Sequence, residues 1–378
     1  MKKILKIAAI VIGALILGVI IAVPCVWMGE IKTINTIEQP DENNPYLYTM
    51  EYKADYDLDE VIAANLDSNM EIIKYVVRKI SKGLPVKLKI SVENKGAGCT
   101  SFQAKNSEGE GWLFGRNYDF FKNPTLVTYS RPKNGYASIG VSDMSHFGYN
   151  LDKLPDSFKK KAMCLASIYA PVDGINEKGL CTSIMALPGQ ASRQDTEKNV
   201  VGTTVIMRLF LDRCATVQEA LSLLSTLDVR HDAENGTGYH YMVADASGDC
   251  AIIEFDKDDG WKTLILRKRY GANSMHITNH LLADKFYTAI PDPSVGNVQS
   301  RSWWRYEVVS KYLEERNGVL SLDEAQECLA LVFWRDLKWD NGLVEDTQYS
   351  NVYDQSTRTL YLKSWFDEYG KTHTFSLK

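Results

Sequence analysis

Cysteine is scarce in this chain: seven among 378 residues, with no C-x-x-C pair. That is too few for a disulfide scaffold and excludes a cysteine-rich zinc module. Cys25 falls in an apolar run, and Cys164, Cys181, Cys214, Cys250 and Cys328 are expected as buried free thiols, with a disulfide left open by an extracytoplasmic setting. Positive charge has no surplus, since 43 Lys and Arg stand against 48 Asp and Glu, a net charge of −5. Nothing there neutralises a phosphate backbone, so nucleic acid is not expected as a partner. Glycine-rich phosphate loops, low-complexity tracts and long internal repeats are missing too, and no nucleotide cofactor is expected. Histidines number six. His276 and His280 have the i,i+4 spacing of a helical zinc pair. The intervening Ile277-Thr278-Asn279 lacks the glutamate of H-E-x-x-H and favours a strand, so no metal is expected.

What is present is an ordinary globular composition, 45% hydrophobic and 24% charged. The length allows two domains, or one large domain with an appendage, and the residue distribution favours the second. After Lys2, Lys3 and Lys6, the stretch from Ile7 to Met28 carries no charge. A helix crosses a bilayer with about 20 such residues, whereas a cleaved signal has an apolar core of about 7–15. Residues 1–30 are therefore expected as an uncleaved membrane anchor, against a cleaved signal or a buried core helix. Lysines before the span and Glu30 after it place the remainder outside the cytoplasm.

Residues 31–57, with Gln39-Pro40-Asp41-Glu42-Asn43-Asn44-Pro45, read as a polar linker. From Leu58 to Ile80 the helical spacing of Val61, Ile62, Leu66, Met70, Ile73, Val76, Val77 and Ile80 predicts one long or two short helices, stopped at Lys82-Gly83. Alternation over 86–92 predicts a strand. Further on, 203–214 and 217–227 have helical spacing, and Thr216 with Glu219, like Ser321 with Glu324 before 325–334, has capping-box chemistry. Residues 239–243 and 251–255 read as a hairpin.

The informative segment is Asn94-Lys95-Gly96-Ala97-Gly98-Cys99-Thr100-Ser101-Phe102, a cysteine after a glycine-rich approach. A turn over 106–111 and a second strand from Trp112 close a hairpin. Trp112, Phe114 and Arg116 share one face, and Asp119 returns to that face only if the strand bends after Arg116. A thiol reacts as thiolate, which a neighbouring arginine favours. No histidine stands in a nucleophile-family signature, so the site lacks an evident base. An α-amine, titrating near about 7.7–8.0, would serve if Cys99 were a chain terminus. On local chemistry alone Arg116 with Asp119 equally fits a structural ion pair, Asn176 and Asn279 fit turn-forming residues, and Arg305 fits an aromatic-stacked helix residue.

Cys99-Thr100-Ser101-Phe102 followed by Leu113-Phe114-Gly115-Arg116-Asn117-Tyr118-Asp119-Phe120 resembles the opening hairpin of the choloylglycine hydrolase family of N-terminal nucleophile hydrolases. That family includes bile salt hydrolases and penicillin V acylases, with acid ceramidase and N-acylethanolamine acid amidase as relatives. The resemblance continues in order through Asp173-Gly174-Ile175-Asn176-Glu177-Lys178-Gly179-Leu180, Thr278-Asn279, Ser302-Trp303-Trp304-Arg305-Tyr306 and the hairpin from Tyr349-Ser350-Asn351 to Leu362. It implies an α+β fold, a four-layer αββα sandwich over 99–378, preceded by the anchor and a helical prosegment or small subunit over 58–98.

The resemblance also implies roles. Cys99 would be nucleophile and, through its amine, base; Arg116 would hold the thiolate and Asp119 orient the amine. Asn176 and Asn279 would donate to the oxyanion, and Arg305 would complete the framework. Simple family members expose the cysteine by losing an initiator methionine, whereas here 98 residues precede it. Cleavage of Gly98–Cys99 is therefore expected, with Gly98 suited by its backbone freedom and by the room it leaves. The implied activity is hydrolysis of non-peptide linear amides of small acyl-amide substrates through a thioester, with no cofactor. Acyl transfer in the same fold, a non-catalytic membrane-tethered binding protein with Cys99 uncut, trimming by an external protease, and a homo-oligomer all stay open.

Overall fold

The structure is a computed structural model that describes residues 26–85, 98–188, 191–231, 236–283, 298–338, 342 and 344–377. Two large sheets stack face to face. In chain order the elements are α1 (Met28–Ile34), β1 (Leu47–Tyr52), α2 (Leu58–Ala63), α3 (Asn69–Ile80), β2 (Gly98–Asn106), β3 (Trp112–Phe120), β4 (Thr125–Ser130), β5 (Ser138–Asp143), α4 (Phe158–Lys161), β6 (Asp173–Asn176), β7 (Cys181–Pro188), β8 (Asn199–Gly202), α5 (Thr203–Arg213), α6 (Val217–Leu224), β9 (Leu227–Arg230), β10 (Thr237–Ala244), β11 (Cys250–Asp256), β12 (Lys262–Arg267), β13 (Ser274–Ile277), α7 (Val298–Glu315), β14 (Val319–Leu320), α8 (Leu322–Ala330), β15 (Leu337–Lys338), β16 (Val344–Asp354), β17 (Thr359–Ser364) and β18 (His373–Ser376).

The first sheet has the order β1-β4-β5-β6-β7-β10-β11-β12, and the second runs β13-β2-β3-β16-β17-β18 with β14 beside β2 and β15 beside β16. Strands β8 and β9 form a separate parallel pair. Helices α5 and α6 pack on the first sheet and α7 and α8 on the second, giving the layers helix, sheet, sheet, helix. The strands buried on both faces read as nearly continuous apolar or small-residue runs: every residue of β5 and of β11 is buried. The core between the sheets includes Phe114, Ile139, Ile175, Met185, Met242, Ile252 and Tyr349, while Phe102, Leu113, Val309, Leu329 and Val352 form a second core under α7 and α8. Full burial of each such side chain contributes about 1.5–3 kcal/mol.

Local chemistry sets the element ends as the sequence predicts. Ser321 and Glu324 form a reciprocal capping box at α8, which stops at Ala330 and falls short of the predicted 334. The Thr216 hydroxyl accepts from Glu219 N at α6. The 58–80 segment is two helices, with Asp57 and Ser68 as their caps. The strand predicted over 86–92 lies outside the described residues. So does nearly all of the apolar run 7–28; among the described residues, no helix is long and apolar enough to cross a membrane.

The linker reading of 31–57 is corrected. β1 pairs in parallel with β4 through six residues, so one edge of the first sheet is built from chain upstream of Cys99. Ile34, Ile37, Leu47 and Met50 are buried, and the Asn44 amide donates to Ser364 Oγ (3.1 Å) and Asp367 Oδ2 (2.8 Å) near the C-terminus. Proline and charge in 38–45 mask this role, because the apolar side chains that anchor the segment lie on either side of the polar turn.

His231 shows what burial does to an imidazole here. Its Nδ1 receives the backbone N–H of Tyr239 (3.2 Å) and lies 2.8 Å from Ser192 Oγ, while Nε2 faces the Tyr241 hydroxyl at 2.9 Å. Burial, with His240 nearby, pushes its pKa down to about 3. The unfolded chain takes up this proton below about pH 6.5 and the folded chain does not. Stability from this group is present above pH 6.5 and is lost as pH falls, at a limiting slope of about 1.4 kcal/mol per pH unit. Urea unfolding at pH 7, 6 and 5 should show the loss. His231→Gln should reduce it by this group's share, since burial also lowers His276 and His280, and an unchanged slope in that variant would refute the assignment.

Candidate active site

Cys99 is the second residue of β2 and is buried, its Sγ-bearing face turned toward the first sheet. The pairing of β2 with β3 sets Gly98 opposite Asp119, Cys99 opposite Tyr118 and Ser101 opposite Arg116. Directly opposed residues of an antiparallel pair share a face, and successive residues alternate. Cys99, Ser101, Arg116 and Tyr118 therefore lie on the inter-sheet face, whereas Gly98, Thr100 and Asp119 lie on the face under the helices.

The expected bend after Arg116 does not occur: β3 stays paired with β2 from Trp112 through Asp119. The irregularity is in the next strand, where β16 shifts register between Thr347 and Tyr349. Asp119 reaches the Cys99 nitrogen region from the opposite side of the sheet, and the thiol and the amine of one residue have separate surroundings.

On the thiol side, the Arg116 guanidinium favours the charged form of Cys99 and donates through Nη2 to Ile184 O at 2.7 Å. Behind it Asp173 Oδ2 stands 3.8 Å from Arg116 Nε. That carboxylate accepts from Tyr349 OH (2.7 Å), Asn351 Nδ2 (2.8 Å) and Tyr353 OH. Burial pushes the Cys99 thiol above its ordinary range, Arg116 opposes, Asp119 adds to the rise and Arg305 opposes again. Burial thus favours the neutral thiol in this arrangement.

On the nitrogen side, the Cys99 N–H donates to Asn279 Oδ1 at 2.6 Å. Arg305, from α7, donates to Cys99 O, to Thr100 Oγ1 (3.0 Å) and to Asn279 Oδ1 (2.8 Å), and lies 3.6 Å from Asp119 Oδ2. Thr347 donates to Asp119 Oδ1 at 2.6 Å. Asp119 Oδ2 is buried and accepts no hydrogen bond. Burial pushes the Asp119 carboxyl up, opposed first by Arg305. Gly98 is wedged here: a β-carbon would fall 2.4 Å and 2.6 Å from ring carbons of Trp334 and 2.9 Å from Asp119 Oδ2. Glycine is needed here for close approach.

Cys99, Arg116, Asp119, Asn279 and Arg305 are thus brought together. Asn279 offers Cys99 its carbonyl oxygen; its Nδ2 donates to Ala186 O (2.9 Å) and its backbone N–H to Ser302 Oγ (2.7 Å). Flipping the amide would set donors against donors, so the orientation is determined by its partners. Asn176 is engaged elsewhere. Its Nδ2 donates to Leu211 O and Cys214 O, its Oδ1 accepts from Lys178 N and Leu180 N, and its backbone N–H donates to Leu180 O. The donors of Asn176 are all taken, whereas Asn279 Nδ2 gives one of its two N–H groups to Ala186 O. His276 and His280 are not on a helix: β13 ends at Ile277, and their rings lie against Tyr306 and Trp303.

A profile of linear amide C–N hydrolases of the choloylglycine hydrolase family matches residues 99–296, beginning at Cys99. The chain belongs to this family. It is a hydrolase acting on carbon–nitrogen bonds, other than peptide bonds, in linear amides. Its fold is similar to that of two variants of conjugated bile acid hydrolase from Clostridium perfringens, with TM-scores of 0.54 and 0.52, each at 16% identity and covering 74% of this chain and 92% of that one. Penicillin V acylase from Agrobacterium tumefaciens matches at 18% identity with a TM-score of 0.46, covering 74% and 86%. The likeness to the two bile acid hydrolase structures supports the α+β sandwich.

Asp173, Trp334 and Thr347 escaped the reading of the sequence as site residues. Asp173 had a signal, as the first residue of the D-G-x-N segment. Trp334 and Thr347 had none, since each lies more than 200 residues beyond Cys99 and reaches its surroundings only in the folded chain, Thr347 by pairing with Asp119 and Trp334 from the loop that bonds Thr347.

Proposed function

We propose that the Gly98–Cys99 bond is cleaved by Cys99 itself, and that the freed cysteine then hydrolyses small-molecule acyl amides through a thioester. The observation that carries this reading is the disposition around Cys99 N: one N–H already held by Asn279 Oδ1, and the buried, hydrogen-bond-free Asp119 Oδ2 beside Gly98. Once Gly98 departs, an ammonium at that nitrogen gains two further donors, and Asp119 is placed to receive one. In the self-reaction the sulfur adds to the Gly98 carbonyl carbon, the C–N bond breaks and the nitrogen takes the proton. Water then hydrolyses the thioester and releases Gly98 as a carboxylate. In turnover the amine takes the thiol proton, the sulfur acylates with loss of the substrate's amine, and water frees the acid.

A conjugated bile acid is one candidate substrate, by likeness to the Clostridium enzyme; N-acyl amines and phenoxyacetyl amides are others within the same class. The charge-free run before Glu30 supports a domain held outside the cytoplasm by a retained N-terminal span. Intact mass of purified protein should give fragments ending at Gly98 and starting at Cys99, and a panel of acyl amides with mass detection of the released amine tests the turnover. Uncut protein that turns over amides would overturn the reading. Gly98→Ala should slow cleavage by about 10–100-fold, because its methyl has no space between Trp334 and Asp119 and displaces the scissile carbonyl. The readout is the half-time of precursor loss on a gel, and wild-type kinetics in this variant would count against the wedge.

A further inference from the structure

His240 on β10 and Glu254 on β11 face each other one step beyond the Tyr241–Ile253 pairing, on the side of the first sheet that meets the second. Both are fully buried. Glu254 Oε1 accepts Leu282 N at 2.7 Å, its Oε2 accepts Ala283 N at 3.0 Å, and His240 Nδ1 lies 3.5 Å from Oε1. His240 Nε2 is 2.8 Å from Thr278 O, and since a carbonyl only accepts, Nε2 bears a proton. Two side chains of the first sheet therefore grip the segment 278–283, which continues β13 of the second sheet, at its beginning and its end. From the other side Ser302 of α7 accepts from Asn279 N, one helical turn before Arg305. Between these supports sits Asn279, whose Oδ1 holds both Cys99 N and Arg305 Nη2.

We propose that Glu254 and His240 are positioning residues for catalysis, a brace across the two sheets that sets Asn279 against the nitrogen of Cys99. A carboxylate sunk in the apolar run Ala251-Ile252-Ile253-Glu254-Phe255 is costly unless its lone pairs are used, and here they serve backbone N–H groups of that segment. Neither residue touches Cys99, so the brace acts only through Asn279. The inference rests on the reading that the freed amine of Cys99 is the base.

The consequence is directional. Asn279 Oδ1 accepts from the amine and favours its protonated form, in company with Asp119, while Arg305 and Arg116 disfavour it. If Asn279 loosens, the amine loses its proton more readily, and the acid limb of the kcat profile moves to lower pH. At the same time kcat falls about tenfold with KM within twofold, since misplacement by a fraction of an ångström weakens the attack geometry and leaves substrate binding intact.

The test uses the processed full chain carrying Glu254→Gln, His240→Ala and His240→Gln, with Ile252→Val as a control that loosens the same strand without touching the segment. The first two variants should show the lower kcat and the shifted limb. His240→Gln, whose amide reaches Thr278 O, should restore most of kcat, and Ile252→Val should show neither change. Wild-type kcat and limb in the first two, or an equal loss in Ile252→Val, overturns the brace. Should Glu254→Gln fail to accumulate, the His240→Ala and His240→Gln pair decides alone. If Cys99→Ala still turns over amides, the underlying reading has failed; if Cys99→Ala is inactive and the brace variants are normal, only the brace has.

Discussion

Cys99→Ala should remain a single uncut chain and lose amide hydrolysis by about 10⁴-fold or more. In the proposed reactions the sulfur is the atom that forms the thioester, and Arg116, Asn279 and Arg305 surround its residue. Five further described cysteines are buried free thiols, remote from this cluster in the sequence. Burial raises the pKa of Cys164, Cys181, Cys214, Cys250 and Cys328, which keeps them unreactive. Two measurements on one preparation separate the rival accounts. Cleavage at Gly98 surviving in Cys99→Ala would assign processing to an external protease, and retained turnover would remove Cys99 from the chemistry.

Arg305→Ala should produce the largest loss of stability. The guanidinium is fully buried and bridges Cys99 O, Thr100 Oγ1, Asn279 Oδ1 and Asp119, with its Cζ 5.1 Å from the centroid of the Trp334 ring. Removing it leaves a buried carboxylate without its strongest opposing charge, a change worth about 3–5 kcal/mol. The pH dependence has a definite sign. Burial already raises the Asp119 carboxyl and Arg305 is what chiefly holds it down, so the variant's folded-state pKa rises further above the unfolded one. The folded variant then binds the proton more tightly than the unfolded chain. Its stability is greatest at low pH and is lost as pH rises through the folded-state pKa. Relative to the parent, the deficit should grow as pH rises from the acid range toward neutrality. Chemical unfolding in the Cys99→Ala background, where no α-amine forms, is the clean comparison. A deficit that does not change with pH would show that Arg305 does not act on Asp119.

The same two residues show how far the sequence was legible. Arg116 and Asp119 were recognised from the strand motif, and their convergence on Cys99 was expected through a bend. The convergence is real and the bend is not, because the two groups serve different atoms of Cys99 from opposite faces of a straight strand. Period-two reasoning places a side chain on a face correctly. It does not say that a strand's end residue presents its nitrogen to one layer and its sulfur to another. Asn176 illustrates the converse: its motif is visible in the sequence, but all its polar groups close the turn at Glu177–Leu180 and tie β6 to α5. The packed role of 31–57 was hidden for a simpler reason, since a strand of six residues pairing with β4 has no local signal of its partner.

By itself, the sequence determined the family, the order of its motifs and the caps at Thr216 and Ser321, because these depend on residue type and on spacing along a few turns. Tertiary structure alone decided that Gly98 is clamped by Trp334, that Thr347 and Arg305 share Asp119, and that Asn279 turns its oxygen to Cys99. Those contacts join residues 180 or more positions apart. Their partners are set by sheet register and helix packing, which no local pattern encodes.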